Sequence, residues 1–386
     1  MRVFILAGEP SGDRLGGALM AGLKELRPDV RFEGIGGPEM TAQGLQSRFD
    51  MSELSVMGLA EILPRYRALM ARINQTAQAV LEMKPDVLIT IDSPDFSLRV
   101  ARRVKARSGI RTVHYVAPTV WAWRPGRAEK MARYVDHVLA LFPFEPPYME
   151  AAGMRCDFVG HPVVAEPQAT VAEAEMFRAR NKLGDAPLLL VLPGSRQSEV
   201  ARLGPVFQQV VARLQLERPE MRVVIPAAAP VVAAVRRLTQ NWSPAPIILN
   251  PLAEDVADPA AEKRAAFRAA DVALAASGTV SLELAASETP MVIAYDMNWL
   301  SRQIIGRMVK VDTVTLVNLV SETRAVPEFI GANCRPGPIA AEVLKVLAAP
   351  EAQLEAMRVT MDRLGRGGEA PGLRAARAVL AGMSNT

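Results

Sequence analysis

Short apolar, β-branched runs alternate with amphipathic stretches along almost the whole chain. Val3–Ala7, Arg31–Ile35, Val87–Ile91, Thr112–Val116, Val138–Leu141 and Asp157–Val159 read as strands of a first half. Leu188–Leu192, Arg222–Ile225, Ile247–Leu249, Val272–Ala275 and Met291–Ala294 read as strands of a second. After the first strand, Leu15, Ala18, Leu19, Gly22, Leu23 and Leu26 fall on one helical face. Strand–helix alternation of this kind predicts α/β architecture with parallel sheets. Pro162, Pro167 and Pro187 bracket an Ala- and Glu-rich connection, with a short helix near Ala172–Asn181. The C-terminal stretch reads as helical, and its last helix, near Leu373–Ala381, is long enough to lie across a neighbouring domain. The chain of 386 residues is too long for one hydrophobic core. The expected organisation is two Rossmann-like, doubly wound domains facing a central cleft: residues 1–165, residues 166–368, and a terminal helix over 369–386 that packs back on the first domain.

Composition narrows the class. Half the residues are hydrophobic and 22% are charged, which is globular rather than disordered. The net charge of +4 is a mild excess, suited to a phosphorylated ligand or an anionic membrane surface. It falls short of the dense basic patches of a nucleic-acid binder. Two cysteines, Cys156 and Cys334, give no disulfide framework and fit a reducing cytoplasm. The first apolar run meets Glu9 and Asp13 too early for a signal peptide. No uncharged apolar stretch approaches the roughly 20 residues that span a bilayer, so membrane contact is expected to be peripheral.

The chemistry-bearing residues follow strands, where open α/β sheets bind their ligands. Ile91-Asp92-Ser93-Pro94-Asp95 ends a buried run in two carboxylates, and Asp92 stands where a general base would stand. Gly8-Glu9-Pro10-Ser11-Gly12-Asp13 joins the first strand to the first helix. Its free N–H groups suit an anion, although Glu9 suits a sugar hydroxyl better. A plain turn with Asp13 as helix cap explains the loop equally well. Leu192-Pro193-Gly194-Ser195-Arg196 repeats the junction in the second half, where Arg196 can fork onto a phosphate or stay solvated. A third junction, Ser277-Gly278-Thr279, presents backbone donors, and Glu283 one turn on is placed to take both hydroxyls of a ribose. Helix capping by Ser277 and Thr279 is the simpler alternative. His114 and His137 lie in strand-like runs and read as core. No pair of histidines has zinc-ligand spacing, so a metal site is not expected; no cofactor is expected either.

One surface is ambiguous. The run Val56–Arg67 mixes apolar Met57, Leu59, Ile62 and Leu63 with Arg65 and Arg67. Either it precedes a core helix, or it is an apolar, Arg-rimmed face for membrane or acyl chains. Half of the four tryptophans, Trp121 and Trp123, sit in the loop that ends at Arg124. Arg127 and Lys130 extend the positive rim.

Taken together, these segments resemble the lipid-A-disaccharide synthases, a family of bacterial glycosyltransferases. The resemblance runs through Ala7–Asp13, Val56-Met57-Gly58, Ile91–Phe96, His114–Arg124, Gly160-His161-Pro162, Leu192–Arg196, Ser277–Glu283 and Leu316-Val317-Asn318-Leu319. It covers essentially the whole chain in order. Pro10, Ala117 and Thr119 depart from it at positions without assigned chemistry. The resemblance implies a GT-B fold, with the UDP donor on the C-terminal domain and the acceptor and membrane on the N-terminal one. It implies condensation of UDP-2,3-diacylglucosamine with 2,3-diacylglucosamine 1-phosphate, giving UDP and a β-1,6-linked disaccharide 1-phosphate. It further implies inversion at the anomeric carbon and peripheral attachment to the cytoplasmic face of an anionic inner membrane. Asp92 and Glu9 become the catalytic candidates. Ser195, Arg196, Ser277, Gly278, Thr279, Glu283 and Asn318 become the donor-binding set. Met57, Leu59, Ile62, Leu63, Trp121, Trp123 and Arg124 become the acceptor and membrane surface. No nucleic-acid partner is expected.

Two rivals remain at this level. A UDP-sugar epimerase on the same fold would share the C-terminal Glu, but has no use for a lipid-facing surface or for Trp121 and Trp123. A lipid-binding scaffold would not need Asp92, Arg196 and Glu283 at three separate strand ends.

Overall fold

The structure is a computed structural model describing residues 1–54, 62–121, 126–254, 256–296 and 312–383, with backbone alone for 62–65. The strands are β1 (Arg2–Ala7), β2 (Arg31–Ile35), β3 (Val87–Ile91), β4 (Arg111–Tyr115), β5 (His137–Ala140), β6 (Arg155–Phe158), β7 (Leu188–Leu192), β8 (Arg222–Pro226), β9 (Ile247–Leu249), β10 (Val272–Ala276), β11 (Met291–Tyr295) and β12 (Glu328–Ile330). The helices are α1 (Pro10–Leu26), α2 (Pro38–Ala42), α3 (Ile62–Met83), α4 (Pro94–Lys105), α5 (Gly126–Met131), α6 (Pro146–Glu150), α7 (Val171–Arg180), α8 (Gln197–Glu217), α9 (Val232–Thr239), α10 (Pro259–Ala269), α11 (Val280–Ala286), α12 (Leu316–Ser321), α13 (Pro336–Ala348), α14 (Glu351–Arg363) and α15 (Pro371–Met383).

The chain divides into two compact units, Met1–Ala165 with Leu364–Thr386, and Glu166–Arg363. Each contains one six-stranded parallel sheet, ordered β2-β1-β3-β4-β5-β6 in the first and β12-β11-β10-β7-β8-β9 in the second. Every residue of β3, β7 and β10 is buried, as parallel strands covered on both faces require. β12 has no counterpart in the sequence reading. It is a three-residue, half-buried edge strand beside β11, and its Glu328 breaks the apolar run that marks β10 and β11.

The strand orders fix where ligands go. In the first sheet the chain winds from β1 to β2 on one side and to β3 on the other, so the direction of winding reverses between β1 and β3. In the second it reverses between β7 and β10. Such switch points leave a crevice at the carboxyl ends of the two strands, because successive crossover helices lie on opposite faces there. The register aligns Ala7 with Ile91 in the first sheet, and Leu192 with Ala275 in the second. The loops that open from these strand ends are Gly8–Glu9 and Asp92–Ser93 in one unit, and Gly194–Arg196 and Ser277–Thr279 in the other.

The chain re-enters the first unit at Leu364, ahead of the 368/369 division expected from sequence. Leu364 is fully buried, and its carbonyl accepts the His161 N–H at 3.3 Å. α15 then packs along α1, burying Ala375, Ala376 and Val379 in the same core as Leu19 and Leu23. The two helices cross closely at glycines. A Cβ on Gly22 would lie 2.8 Å from the Gly372 carbonyl oxygen, and one on Gly372 would lie 2.5 Å from that of Ala18.

Candidate functional site

In the first unit the switch point brings two carboxylates, unpaired among the described residues, to neighbouring loops. Glu9 is exposed, has extended backbone, and starts α1 without a side-chain hydrogen bond. Asp92 is half-buried, and its N–H donates to the Tyr115 carbonyl at 3.0 Å. The two loops touch through Gly8. A Cβ there would fall 2.7 Å from Ser93 Oγ, so only glycine lets the loops approach. Asp92 and Ser93 both have left-handed backbone, with φ of 45° and 43°, and Val116 at the end of β4 has φ of 83°. Left-handed geometry is costly for non-glycine residues and worst for a β-branched one such as Val116. Three such residues at adjacent strand ends mark a place where the fold holds its backbone against local preference. Asp95 is placed differently. It lies in the first turn of α4 with its side chain 94% exposed, 3.9 Å from Arg99. Of the two carboxylates in this motif, only Asp92 stands at the strand end.

Asp13 does not cap its own helix. It is buried, and its carboxylate accepts the N–H groups of Gly37 (2.7 Å), Glu39 (2.9 Å) and Met40 (3.1 Å). It therefore caps α2, a long-range partner that a turn reading could not supply.

An aromatic row joins the segments that follow β4, β5 and β6. Trp121 meets Phe144 edge-on at 5.3 Å, Phe144 stacks on Phe142 at 5.4 Å, and Phe142 stacks on His161 at 5.4 Å. Burial holds His161 down at about 4, so its ring is neutral at physiological pH and accepts the Val163 N–H through Nδ1. Glu145 anchors the loop that carries the row, accepting the Leu141 and Phe142 N–H groups, each at 3.0 Å. Burial pushes this carboxyl up to about 8, against the pull of those amides and of the Trp121 indole beside it. Glu145 was not singled out from sequence, because nothing in Phe-Glu-Pro-Pro distinguishes it from a surface acid. His114 and His137 are buried on β4 and β5, as their strand-like surroundings suggested.

In the second unit Gly194 has φ of 115°, and Arg196 begins α8. The loop amides are already engaged. Glu199 Oε2 accepts from Ser195 N–H at 2.9 Å and Arg196 N–H at 3.3 Å, while Oε1 meets Arg196 Nη1 at 3.0 Å. The Arg196 side chain is 78% exposed and reaches into solvent from the strand end. At the next junction Gly278 and Thr279 are exposed, Ser277 is half-buried, and Thr279 makes no capping hydrogen bond. The simple capping explanation of these residues therefore fails. Glu283 is half-buried and forms an ion pair with Lys263 of α10, a partner twenty residues away that the sequence reading missed. Asn318 departs from expectation. It is buried, its amide nitrogen donates to Thr313 Oγ1 (3.2 Å) and the Val326 carbonyl (2.8 Å), and its oxygen accepts Val326 N–H (3.0 Å). Its donors are spent on the Thr313 hydroxyl and the Val326 carbonyl, so it ties together the segment 313–326 around α12 rather than offering a free amide. Glu328 completes the clamp by accepting the Val314 and Thr315 N–H groups at 3.0 and 2.7 Å.

Met57, Leu59, Trp123 and Arg124 lie outside the described residues, as do the side chains of Ile62, Leu63 and Arg65. Among the described residues no helix is long and apolar enough to cross a membrane.

The comparisons with known proteins agree with the two-sheet geometry and go beyond it. The family model described as lipid-A-disaccharide synthetase matches residues 3–371. A lipid-A-disaccharide synthase of Ruegeria pomeroyi is 66% identical over 98% of this chain and 95% of its own length. The chain belongs to the lipid-A-disaccharide synthase family. A second relative of the same name, from Rhodospirillum centenum, is 48% identical over 98% of this chain and 94% of that protein. The similar solved structures include the UDP-GlcNAc 2-epimerase of Neisseria meningitidis bound to UDP-GlcNAc, with TM-score 0.63, 12% identity and full coverage of both chains. A putative UDP-N-acetylglucosamine 2-epimerase of Listeria monocytogenes gives TM-score 0.63 at 14% identity, covering 100% of this chain and 96% of its own. At such identities the likeness is one of fold, the GT-B class, and leaves the epimerase reading without support of its own.

Proposed function

We propose that the chain transfers a 2,3-diacylglucosaminyl group from its UDP ester to the 6-hydroxyl of 2,3-diacylglucosamine 1-phosphate, with inversion at the anomeric carbon. The observation that carries this reading is the 66% identity to a protein named lipid-A-disaccharide synthase over nearly the full length of both. In the proposed mechanism, the Asp92 carboxylate takes the proton of the acceptor hydroxyl as its oxygen bonds to C1 of the donor. The C1–O bond to UDP breaks, and UDP leaves as the anion. A general base must lie within hydrogen-bond reach of that hydroxyl. Asp92 suits the role because its carboxylate, at the switch point, is unpaired among the described residues, while Asp95 projects into solvent. Glu9, on the touching loop, is assigned to orient the acceptor sugar.

The donor is assigned to the second unit. Arg196 and the backbone amides over Ser277, Gly278 and Thr279 receive the diphosphate, with Ser195 beside them. Glu283, held by Lys263, receives the ribose hydroxyls. Asn318 contributes by tying together the segment 313–326. Fixed cations and dipoles aimed at the leaving group are the means by which such a site stabilises developing charge. The membrane assignment rests on substrate chemistry: both substrates carry acyl chains, so the enzyme has to work at an anionic bilayer surface. Met57, Leu59, Ile62, Leu63, Trp121, Trp123 and Arg124 are assigned to that contact. The test is release of UDP on mixing the protein with both acylated substrates, set beside UDP-N-acetylglucosamine alone. Release with the first mixture and no epimer from the second is expected, and the reverse pattern would refute the transferase.

A further inference from the structure

Two cations near the start of α4 have no partner among the described residues. Arg127 and Lys130 stand one turn apart on α5, Arg127 half-buried and Lys130 exposed, and neither makes a hydrogen bond or ion pair among the described residues. With Pro94, Asp95 and Gly126 they line an open pocket of about 640 Å³. That volume lies within the range of small-ligand sites. The pocket opens at the start of α4, two residues beyond Asp92. Arg127 is also near enough to β4 for its charge to act on His114. After burial itself, its charge is the next influence holding His114 at about 4. Asp95 does not neutralise the pair, since its side chain is 94% exposed and turned toward Arg99. The pocket therefore carries a surplus of positive charge that the fold leaves unspent.

We infer that Arg127 and Lys130 bind the 1-phosphate of the acceptor and so select a phosphorylated sugar over its dephosphorylated form. The inference rests on the transferase reading above. In that reading the donor diphosphate belongs to the second unit, so a cation pair on the first unit serves a different anion. The reacting 6-hydroxyl is carried through C5 and the phosphate by C1, and both carbons bond the ring oxygen, so the two groups lie close together on one edge of the hexose. A ring whose hydroxyl faces Asp92 then places its phosphate a short way along, where Pro94 and Asp95 open onto the two cations. A phosphate monoester accepts from both a guanidinium fork and an ammonium, and such charge-assisted bonds are the strong ones. An anionic lipid headgroup offers the same chemistry, so the experiment has to separate the two sources.

The test compares wild type with Arg127→Gln, Lys130→Gln and the double variant in neutral detergent micelles. The two acceptors are 2,3-diacylglucosamine 1-phosphate and its 1-hydroxyl counterpart. Wild type is expected to prefer the phosphorylated acceptor in kcat/KM, and the double variant to lose about 10- to 100-fold of that preference, mostly through acceptor KM. Glucosamine 1-phosphate, a soluble probe, is expected to inhibit wild type competitively against the acceptor and the double variant far more weakly. The charge-preserving Arg127→Lys, Lys130→Arg protein is expected to keep most of the preference, and a thermal melt of each variant checks its fold. If the double variant does not fold, the two single variants carry the comparison. Equal losses on both acceptors overturn the inference. A defect that arises only on anionic vesicles, and not in neutral micelles, also overturns it and assigns the pair to the membrane. Wild-type transfer without any phosphate preference overturns this inference alone, whereas no wild-type transfer to either acceptor overturns the transferase reading as well.

Discussion

Replacing Asp92 by Asn separates a general base from a hydrogen-bonding bystander, because the magnitudes for the two differ. Asp92 has φ of 45°, a conformation that Asn tolerates as well as Asp. The substitution keeps the size and the backbone geometry, and the side chain has no hydrogen bond to lose among the described residues. Stability should therefore change by no more than about 0.5 kcal/mol. Loss of a general base costs about 10²–10⁴ in rate, or roughly 3–5 kcal/mol in the barrier. Loss of a neutral positioning hydrogen bond costs about 0.5–1.5 kcal/mol, which is only about 2- to 13-fold. The assay is UDP release with both acylated substrates. It is accompanied by calorimetric UDP binding, which should be unchanged, and by a urea melt. Asp92→Ala should show the same loss of turnover with an added folding cost of about 1 kcal/mol, since alanine lacks the tolerance of Asn for left-handed backbone. If folded Asp92→Asn keeps more than a tenth of the wild-type rate, the base is elsewhere and the strain at Asp92 and Ser93 has another purpose.

Asp13→Ala leaves three N–H groups at the start of α2, that of Met40 buried and those of Gly37 and Glu39 partly so, without their acceptor. It should destabilise the first unit by about 3–5 kcal/mol, with the greatest gain in hydrogen exchange at Gly37, Glu39 and Met40; unchanged exchange there would refute the capping role. Glu283→Gln should weaken UDP binding about 10-fold or more by removing a charge-assisted acceptor, as measured by titration calorimetry, and unaltered affinity would remove Glu283 from the donor site. The pH dependence of stability has two opposed parts. His114, His137 and His161 sit near 4 when folded against 6.5 when free, so their contribution is complete above pH 6.5 and is lost as pH falls from 6.5 toward 4. Glu145, raised from 4.5 to about 8, favours the folded state at low pH and costs stability as pH rises through that window; urea midpoints should show Glu145→Gln flattening the alkaline limb, and an identical limb would contradict this. A folded Met57→Ser, Leu59→Ser, Ile62→Ser protein should float less than wild type with anionic liposomes, and less again in high salt. Equal flotation would place the membrane surface elsewhere.

What could be read from sequence was whatever repeats at short range. β3, β7 and β10 announce themselves because a strand buried on both faces must be apolar at every position. Their carboxyl ends then locate Asp92, Arg196 and the Ser277–Thr279 loop without knowledge of the sheet order. Partners far apart in sequence stayed hidden. Asp13 sits where a cap for α1 would sit, yet its acceptor capacity goes to Gly37–Met40. Lys263 pairs with Glu283 from another helix. Asn318 lies in a matching segment, but its neighbours Thr313 and Val326 decide that it ties residues 313–326 together. Glu199 shows the same limit at one turn's distance, since a carboxylate that folds back over the Ser195 and Arg196 amides looks in sequence like any helical acid. β12 escaped because Glu328-Phe329-Ile330 opens on an acid and leaves only two apolar positions, whereas the equally short β9 is apolar throughout.

The seat of α15 on α1 has a consequence for how the protein is made. The first unit owns residues at both ends of the chain, and the whole of Glu166–Arg363 is translated between them. At about 5–20 residues per second, the groove along Ala18 and Gly22 of the nascent protein waits on the order of 20–70 s for Gly372 and Ala376 to emerge. During that interval apolar surface around Leu19 and Leu23 lacks its final cover. A ribosome stalled or terminated within the second unit therefore releases a first unit open along one side, and that open groove is where a chaperone, or another nascent chain, would find it.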